Sequence, residues 1–288
     1  MVSSPVCGSL YENSVRAKSV VRNRLSACFA VAANVNRPVE ISIRGASKSF
    51  STQSGERVTV FTDLSFDVYR GEFLALVGPS GCGKSTLLNA ICGEVDLDGG
   101  SIMVESNGNK GQRRSISVVW QEDALMPWKT AMANVEFPMI ARGVDVEKRR
   151  ETASKWLKTV GLDGFLHSYP LELSQGMRKR VGIAAALAPH PRILLLDEPF
   201  SALDLYTKLE IENELLSLWA EAKITVVMVT HDVHEAVGLA DRIIVLTSRP
   251  ATLRAVHLNP LPRPRNLRSL YGEPQFHDQV RQVWALMK

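Results

Sequence analysis

No apolar run in this 288-residue chain approaches the roughly 18 residues that a membrane-spanning helix needs. By itself the chain is therefore not expected to form a channel, and any transport role would need separate membrane subunits. Cysteine is scarce: Cys7, Cys28, Cys82 and Cys92 show neither metal-ligand spacing nor a disulfide framework, which points to free thiols in a reducing compartment. Charge of one sign is also lacking. A formal net charge of +4 is modest for this size and gives no nucleic-acid signal. No heptads are sustained and no motif repeats as a second cassette. With 45% hydrophobic residues, the expectation is one α/β domain carrying a smaller inserted domain.

The most specific segment is Gly78-Pro-Ser-Gly-Cys-Gly-Lys-Ser-Thr86. It fits G-x-x-x-x-G-K-[ST] through Gly78, Gly83, Lys84 and Ser85, and Pro79, Ser80, Gly81, Cys82 and Thr86 complete the binding loop. Before it, Glu72-Phe-Leu-Ala-Leu-Val77 reads as a buried strand. After it, Thr86-Leu-Leu-Asn-Ala-Ile91 reads as a helix. The glycines let backbone amides approach a phosphate closely, and the helix N-terminus faces the anion. Lys84 supplies a point charge for the β- and γ-phosphates, and Ser85 is placed to ligate Mg²⁺. The bland alternative is a glycine-rich turn ahead of a helix.

Ile193-Leu-Leu-Leu196 is too short for a buried helix and suits a parallel core strand. It ends in Asp197-Glu198, where open α/β sheets bind ligands. Asp197 is expected to hold Mg²⁺ through water and Glu198 to polarise the attacking water. An ordinary acidic turn is the alternative.

With these motifs in place, residues 39 to 250 resemble the nucleotide-binding subunit of ABC transporters. The resemblance implies a P-loop NTPase core with an antiparallel β subdomain and an inserted helical subdomain. It also implies a head-to-tail pair of subunits, with ATP held between one phosphate loop and the partner's signature. Leu173-Ser-Gln-Gly-Met177 resembles that signature, so Ser174, Gln175 and Gly176 would meet the γ-phosphate bound to the second subunit. Gln175 stands where the family usually has glycine, and a backbone needing φ > 0 there would strain it. Ala185 replaces a frequent arginine. Gln121, after the apolar Val118-Val-Trp120, resembles the Q-loop residue that senses Mg²⁺. Ser201-Ala-Leu-Asp204 resembles the D-loop that crosses the dimer interface. His231 resembles the switch histidine, whereas His167, His190, His234, His257 and His277 have no such setting. Phe50 resembles the aromatic that stacks on adenine, with plain core packing as the alternative.

The catalytic set implied is thus Glu198, His231, Gln121 and Lys84, and the metal set is Ser85, Gln121 and Asp197. The cofactors implied are ATP and Mg²⁺.

Residues 1–38 carry Arg16, Lys18, Arg22, Arg24 and Arg37 against Glu12 alone. That composition predicts a disordered basic extension, with an organelle transit peptide as the second reading. Alternating runs at 40–44 and 63–68 predict an antiparallel sheet. Residues 123–177 have helical patterning. The tail from 251 to 288 is predicted to be Pro-rich and extended, then helical from Pro274 to Met287.

Three further segments resemble importers of the nitrate, sulfonate and taurine type: Leu125-Met-Pro-Trp128, His231-Asp-Val-His-Glu-Ala236, and Arg249-Pro250 with Leu261-Pro-Arg-Pro-Arg265. The first is either core or an apolar surface that receives a helix from a membrane subunit. The implied role is an ATP-hydrolysing subunit that energises import of a small anion or zwitterion through integral membrane permease subunits. It would lie peripherally on the cytoplasmic face of the inner membrane, pair with a second copy, and serve a soluble solute-binding protein indirectly, without nucleic acid. The alternative is a soluble ABC ATPase acting on nucleic acid or ribosomes.

Overall fold

Four apolar runs are buried along their whole length: β3 (Phe73–Val77), β6 (Ile193–Asp197), β7 (Thr225–Thr230) and β8 (Arg242–Leu246). Their continuous hydrophobicity, rather than alternation, is what burial on both faces demands. In the computed structural model they lie in a six-stranded sheet of order β5-β6-β7-β3-β8-β9, where β5 is Ile116–Val119 and β9 is Leu253–Leu258. All pairings are parallel except β8 with β9. The structure describes residues 37–52, 55–105, 116–122, 124–201 and 203–288, so all but the last two residues of the predicted basic extension over 1–38 lie outside the described residues.

The two faces of this sheet serve two cores. Phe73, Ala75 and Val77 pack into one, while Leu74 and Leu76 pack into the other. The second core is closed by an antiparallel sheet of order β2-β1-β4, made of β1 (Val39–Ser51), β2 (Arg57–Tyr69) and β4 (Gly99–Val104). Within β2, buried Leu64, Phe66 and Val68 alternate with more exposed residues, as the period-two pattern predicts. A bulge in β1 at Gly45 (φ 58°) brings its backbone so near Gly100 that a Cβ there would stand 2.3 Å from it. Between the sheets lies α1 (Lys84–Cys92), burying Leu87, Leu88 and Ile91.

Three helices follow from the inserted stretch: α2 (Ala131–Ile140), α3 (Val146–Thr159) and α4 (Gln175–Leu187). Each is started by a side chain that accepts an orphan amide: Thr130 from Ala133, Asp145 from Glu147, Ser174 from Met177. On the far face of the main sheet lie α5 (Leu205–Ala222), α6 (Val233–Leu239), α7 (Leu267–Leu270) and α8 (Pro274–Met287).

The boundary expected at 250 does not mark the end of the core. Strand β9 runs to Leu258 within the main sheet, and Phe276, Val280 and Val283 of α8 are buried in its core. The half-buried edge strand, with Arg254 and His257 breaking its apolar run, is a weaker signal than the all-apolar runs before it.

Candidate functional site

Strand order decides which residues meet. Neighbours β5, β6, β7 and β3 are parallel, so the segments leaving their carboxyl ends stand side by side. Those segments carry Gln121, Asp197-Glu198, His231 and the glycine loop.

The loop from Gly78 enters α1 with Gly83 as N-cap in the left-handed region and no side-chain cap. The first amides of α1 therefore lack a side-chain acceptor at the positive end of the helix, a fit for an anion. Gly81 (φ 73°) faces open space. A Cβ on Gly83 (φ 112°), by contrast, would stand 2.3 Å from Val60 Cγ1, so the loop is a cradle that only glycine allows. Cys82 is buried as a free thiol. Lys84 Nζ donates to the carbonyls of Gly78 (2.9 Å) and Pro79 (3.1 Å), which points the ammonium into the loop. Arg249 donates to the Gly81 carbonyl at 2.6 Å, fastening the outer rim.

Ser85 Oγ donates to Asp197 Oδ1 at 2.9 Å. Burial raises the Asp197 pKa above the ordinary carboxylate value, the Ser85 hydrogen bond opposes that, and the neighbouring Glu198 charge adds to it. This pair of hard oxygen donors suits Mg²⁺, which takes one or two protein ligands and completes its shell with water and phosphate. The described residues hold no cluster of three or more His, Cys, Asp or Glu that would bind a metal by protein alone.

Glu198 is a non-glycine residue at φ 43°, a conformation of restricted occupancy. Its amide donates to Val229 O at 2.9 Å, which fixes the turn. The carboxylate then meets two groups: Gln121 Nε2 at 3.3 Å and His231 Nδ1 at 3.2 Å.

Two predicted groups stand apart from this cluster. Phe50 is 45% exposed at the end of β1, with Lys48 Nζ 5.1 Å from its ring centre, so the core alternative is excluded for it. Ser174 and Gln175 are exposed at the start of α4. Gln175 occupies the first helical position and is not among the residues of positive φ, so the strain expected of a glutamine there does not arise. Gly176 is buried against α5.

Trp128 is 72% exposed, which removes the core reading for the Met-Pro-Trp cluster. Its loop is held from beneath by Asn134, a buried amide that motif reading missed. Asn134 accepts from Met126 N and donates to the carbonyls of Met126, Lys129 and Thr130. Beside it a groove runs between β5 and α2 and α4, lined by apolar Trp120, Leu125, Met126, Phe137 and Pro138 and rimmed by the charged Glu122, Arg142 and Arg178. Ala185 of α4 lies on the groove wall. Sequence reading also missed Lys179, a buried lysine of α4 that donates to Gln121 O at 2.6 Å and Trp120 O at 3.3 Å. An amphipathic helix pattern carries no sign that one lysine points inward. The late arginines prove to be fasteners: Arg265 donates to the Ala240 and Gly238 carbonyls at the end of α6, and Arg263 to Asp241 while lying over Trp219.

The family model described as ABC transporter matches residues 61–201. The chain is 43% identical to an uncharacterized ABC transporter ATP-binding protein of Methanocaldococcus jannaschii, over 81% of this chain and 86% of that one. It is 40% identical to the nitrate transport protein NasD of Klebsiella oxytoca, over 84% and 94%. It is 39% identical to the aliphatic sulfonates import ATP-binding protein SsuB of Bacillus cereus, over 80% and 90%. Among solved structures, a dimeric bacterial ABC transporter cassette, MJ0796, matches with a TM-score of 0.68 at 32% identity, covering 77% of this chain and all of that one. A post-hydrolysis dimer of the same cassette, bound to ADP and Pi, matches equally well.

Proposed function

The chain belongs to the family of ABC transporter ATP-binding subunits, and on that footing we propose that it energises import of a small anion or zwitterion of the nitrate or sulfonate type through separate membrane permeases. It is an ATP-hydrolysing subunit. The observation that carries the proposal is the meeting of Gln121, Glu198 and His231 at the rim of a glycine cradle, beside a groove with Trp128 exposed. The soluble alternative is not favoured, because the named relatives are transport and import subunits.

In this reading the amides of residues 78–86 and the start of α1 bind the ATP phosphates, and Lys84 neutralises the γ-phosphoryl charge. Ser85 and Asp197, with Gln121, would hold Mg²⁺, and the ion would supply charge to offset that on the phosphate oxygens. Glu198 accepts a hydrogen bond from water and aims it in line. His231 holds the Glu198 carboxylate from one side and Gln121 from the other. Phe50 offers a face to adenine. Two copies pair head to tail, so Ser174, Gln175 and Gly176 of one chain complete the site of the other. Dimerisation itself is supported by the dimeric cassette similar to this chain. Closure of the pair assembles the site, and hydrolysis releases it.

The groove and Trp128 receive an apolar helix from the permease. No described helix is long and apolar enough to cross a membrane. We place the chain peripherally, on the cytoplasmic face, with a solute-binding protein acting only through the permease.

The test is purification of the tagged full chain from native membranes in mild detergent. Co-elution of a polytopic membrane protein, with turnover that responds to it, is expected. Recovery with ribosomes, DNA or no membrane partner overturns the transport reading and leaves the ATPase chemistry standing.

A further inference from the structure

The first turn of α5 touches two functional segments from adjacent positions. Thr207 lies against the signature segment: a Cβ on Gly176 would stand 2.5 Å from Thr207 Cγ2. Lys208, the next residue, sends Nζ to Asp232 Oδ2 at 2.7 Å and to Glu235 Oε1 at 2.6 Å. Both acids belong to the segment that carries His231. Thr230 ties them together, since its Oγ1 accepts the Asp232 amide at 3.0 Å and donates to Glu235. Asp232 also caps α6 by accepting from His234 N at 2.8 Å. His231 is thus held on both sides in sequence, and its imidazole reaches outward to Glu198.

The network sits where charge matters. The Lys208 side chain is 17% exposed and that of Glu235 is 6% exposed, so the pair is weakly screened. Burial lowers the Lys208 pKa, but the Glu235 charge and the bonds to Asp232 and Glu235 outweigh it and leave the ammonium more firmly protonated than usual. Removing this one cation frees two acids at once, one of them adjacent to His231.

We propose that Lys208 is a positioning residue for hydrolysis, fixing the His231 segment to the same helical turn that packs on the signature glycine. The proposal rests on the reading of Glu198 and His231 as a working pair. Its consequence is mechanical. On the head-to-tail reading a chain's signature serves the partner's ATP while its His231 serves its own. Thr207 and Lys208 then join the two nucleotide sites through one turn of helix.

The experiment is a double-mutant cycle on the full chain with Lys208→Met, His231→Ala and the double variant, reading kcat and KM for ATP alongside melting temperature. Lys208→Met is expected to lower kcat about tenfold with KM within about twofold, and to add little once His231 is replaced. Lys208→Arg should recover most of the loss. Should Lys208→Met fail to fold, Asp232→Asn carries the same cycle, because it leaves the Lys208–Glu235 pair in place. An equal fold-loss in both backgrounds, or an unchanged kcat in the folded single variant, overturns the proposal. If His231→Ala itself leaves kcat unchanged, the catalytic reading of His231 fails, and this inference falls with it.

Discussion

Gln121 and Glu198, 77 residues apart in sequence, meet side chain to side chain at 3.3 Å. Gln121 stands two residues past the end of β5 and Glu198 directly follows β6, and the two strands are paired in parallel. The contact places a neutral amide on the carboxylate proposed to aim water. Glu198→Gln keeps the shape and removes the charge. The expected result is loss of turnover by roughly a hundredfold or more, with ATP affinity retained and an ATP-dependent dimer seen by size-exclusion chromatography. Turnover within threefold of the original, or a monomer at saturating ATP, would remove Glu198 from its role.

Lys84 is buried, and its ammonium is aimed into the loop by two carbonyls. Lys84→Ala deletes the cation and unties the loop it braces. A hydrogen bond to a charged group is worth about 1.5–3 kcal/mol, which converts to a roughly ten- to hundredfold loss of ATP affinity. Calorimetric titration with ATP checks this, and unchanged affinity would show that the loop amides suffice.

The groove prediction separates surface from scaffold. Trp128 stands 72% exposed, so Trp128→Ala should move stability by no more than about 0.5 kcal/mol. It should nevertheless abolish stimulation of turnover by the membrane partner. Asn134→Ala strips four hydrogen bonds from the loop beneath Trp128 and should cost about 1–3 kcal/mol. Thermal melting with permease-stimulated turnover distinguishes the two. A Trp128→Ala chain that melts much earlier would return that residue to a packing role.

What the sequence made legible follows from how each residue works. The cradle, Asp197-Glu198 and His231 are placed by backbone conformation or by strand ends, and both leave local marks: glycine spacing, apolar runs, an acid pair. Asn134, Lys179 and Lys208 act on partners that are carbonyls or acids brought near only by packing. No local pattern distinguishes Lys208 from the other lysines of amphipathic helices. The left-handed backbone at Glu198 is invisible for the same reason, since the turn is held by the hydrogen bond its N–H donates to the Val229 carbonyl on a neighbouring strand. Strand β9 leaves little local mark, because an edge strand that is half-buried along its length resembles surface.

Glu212 yields a pH prediction. It is wholly buried on α5, where burial pushes its carboxyl up to about 8; Lys208 opposes this, and the charges of Glu235 and Asp232 add to it. Tyr271 donates to its Oε2 at 3.4 Å. In the unfolded chain the group titrates near its ordinary value of 4.5. Between those values the folded state keeps a proton that the unfolded state has released. The stability it contributes is therefore full below about 4.5 and lost as pH rises toward about 8. Glu212→Gln preserves the neutral shape and removes that loss. The melting temperature of the variant relative to the original should be near equal at acid pH and higher by about 10 °C at alkaline pH. Other titrating groups bend both curves alike, so the difference between them isolates this carboxyl. Two curves that run parallel across the range would mean that Glu212 is ionised in the folded protein. In that case Lys208 would answer three acids rather than two, and its hold on Asp232 beside His231 would be correspondingly divided.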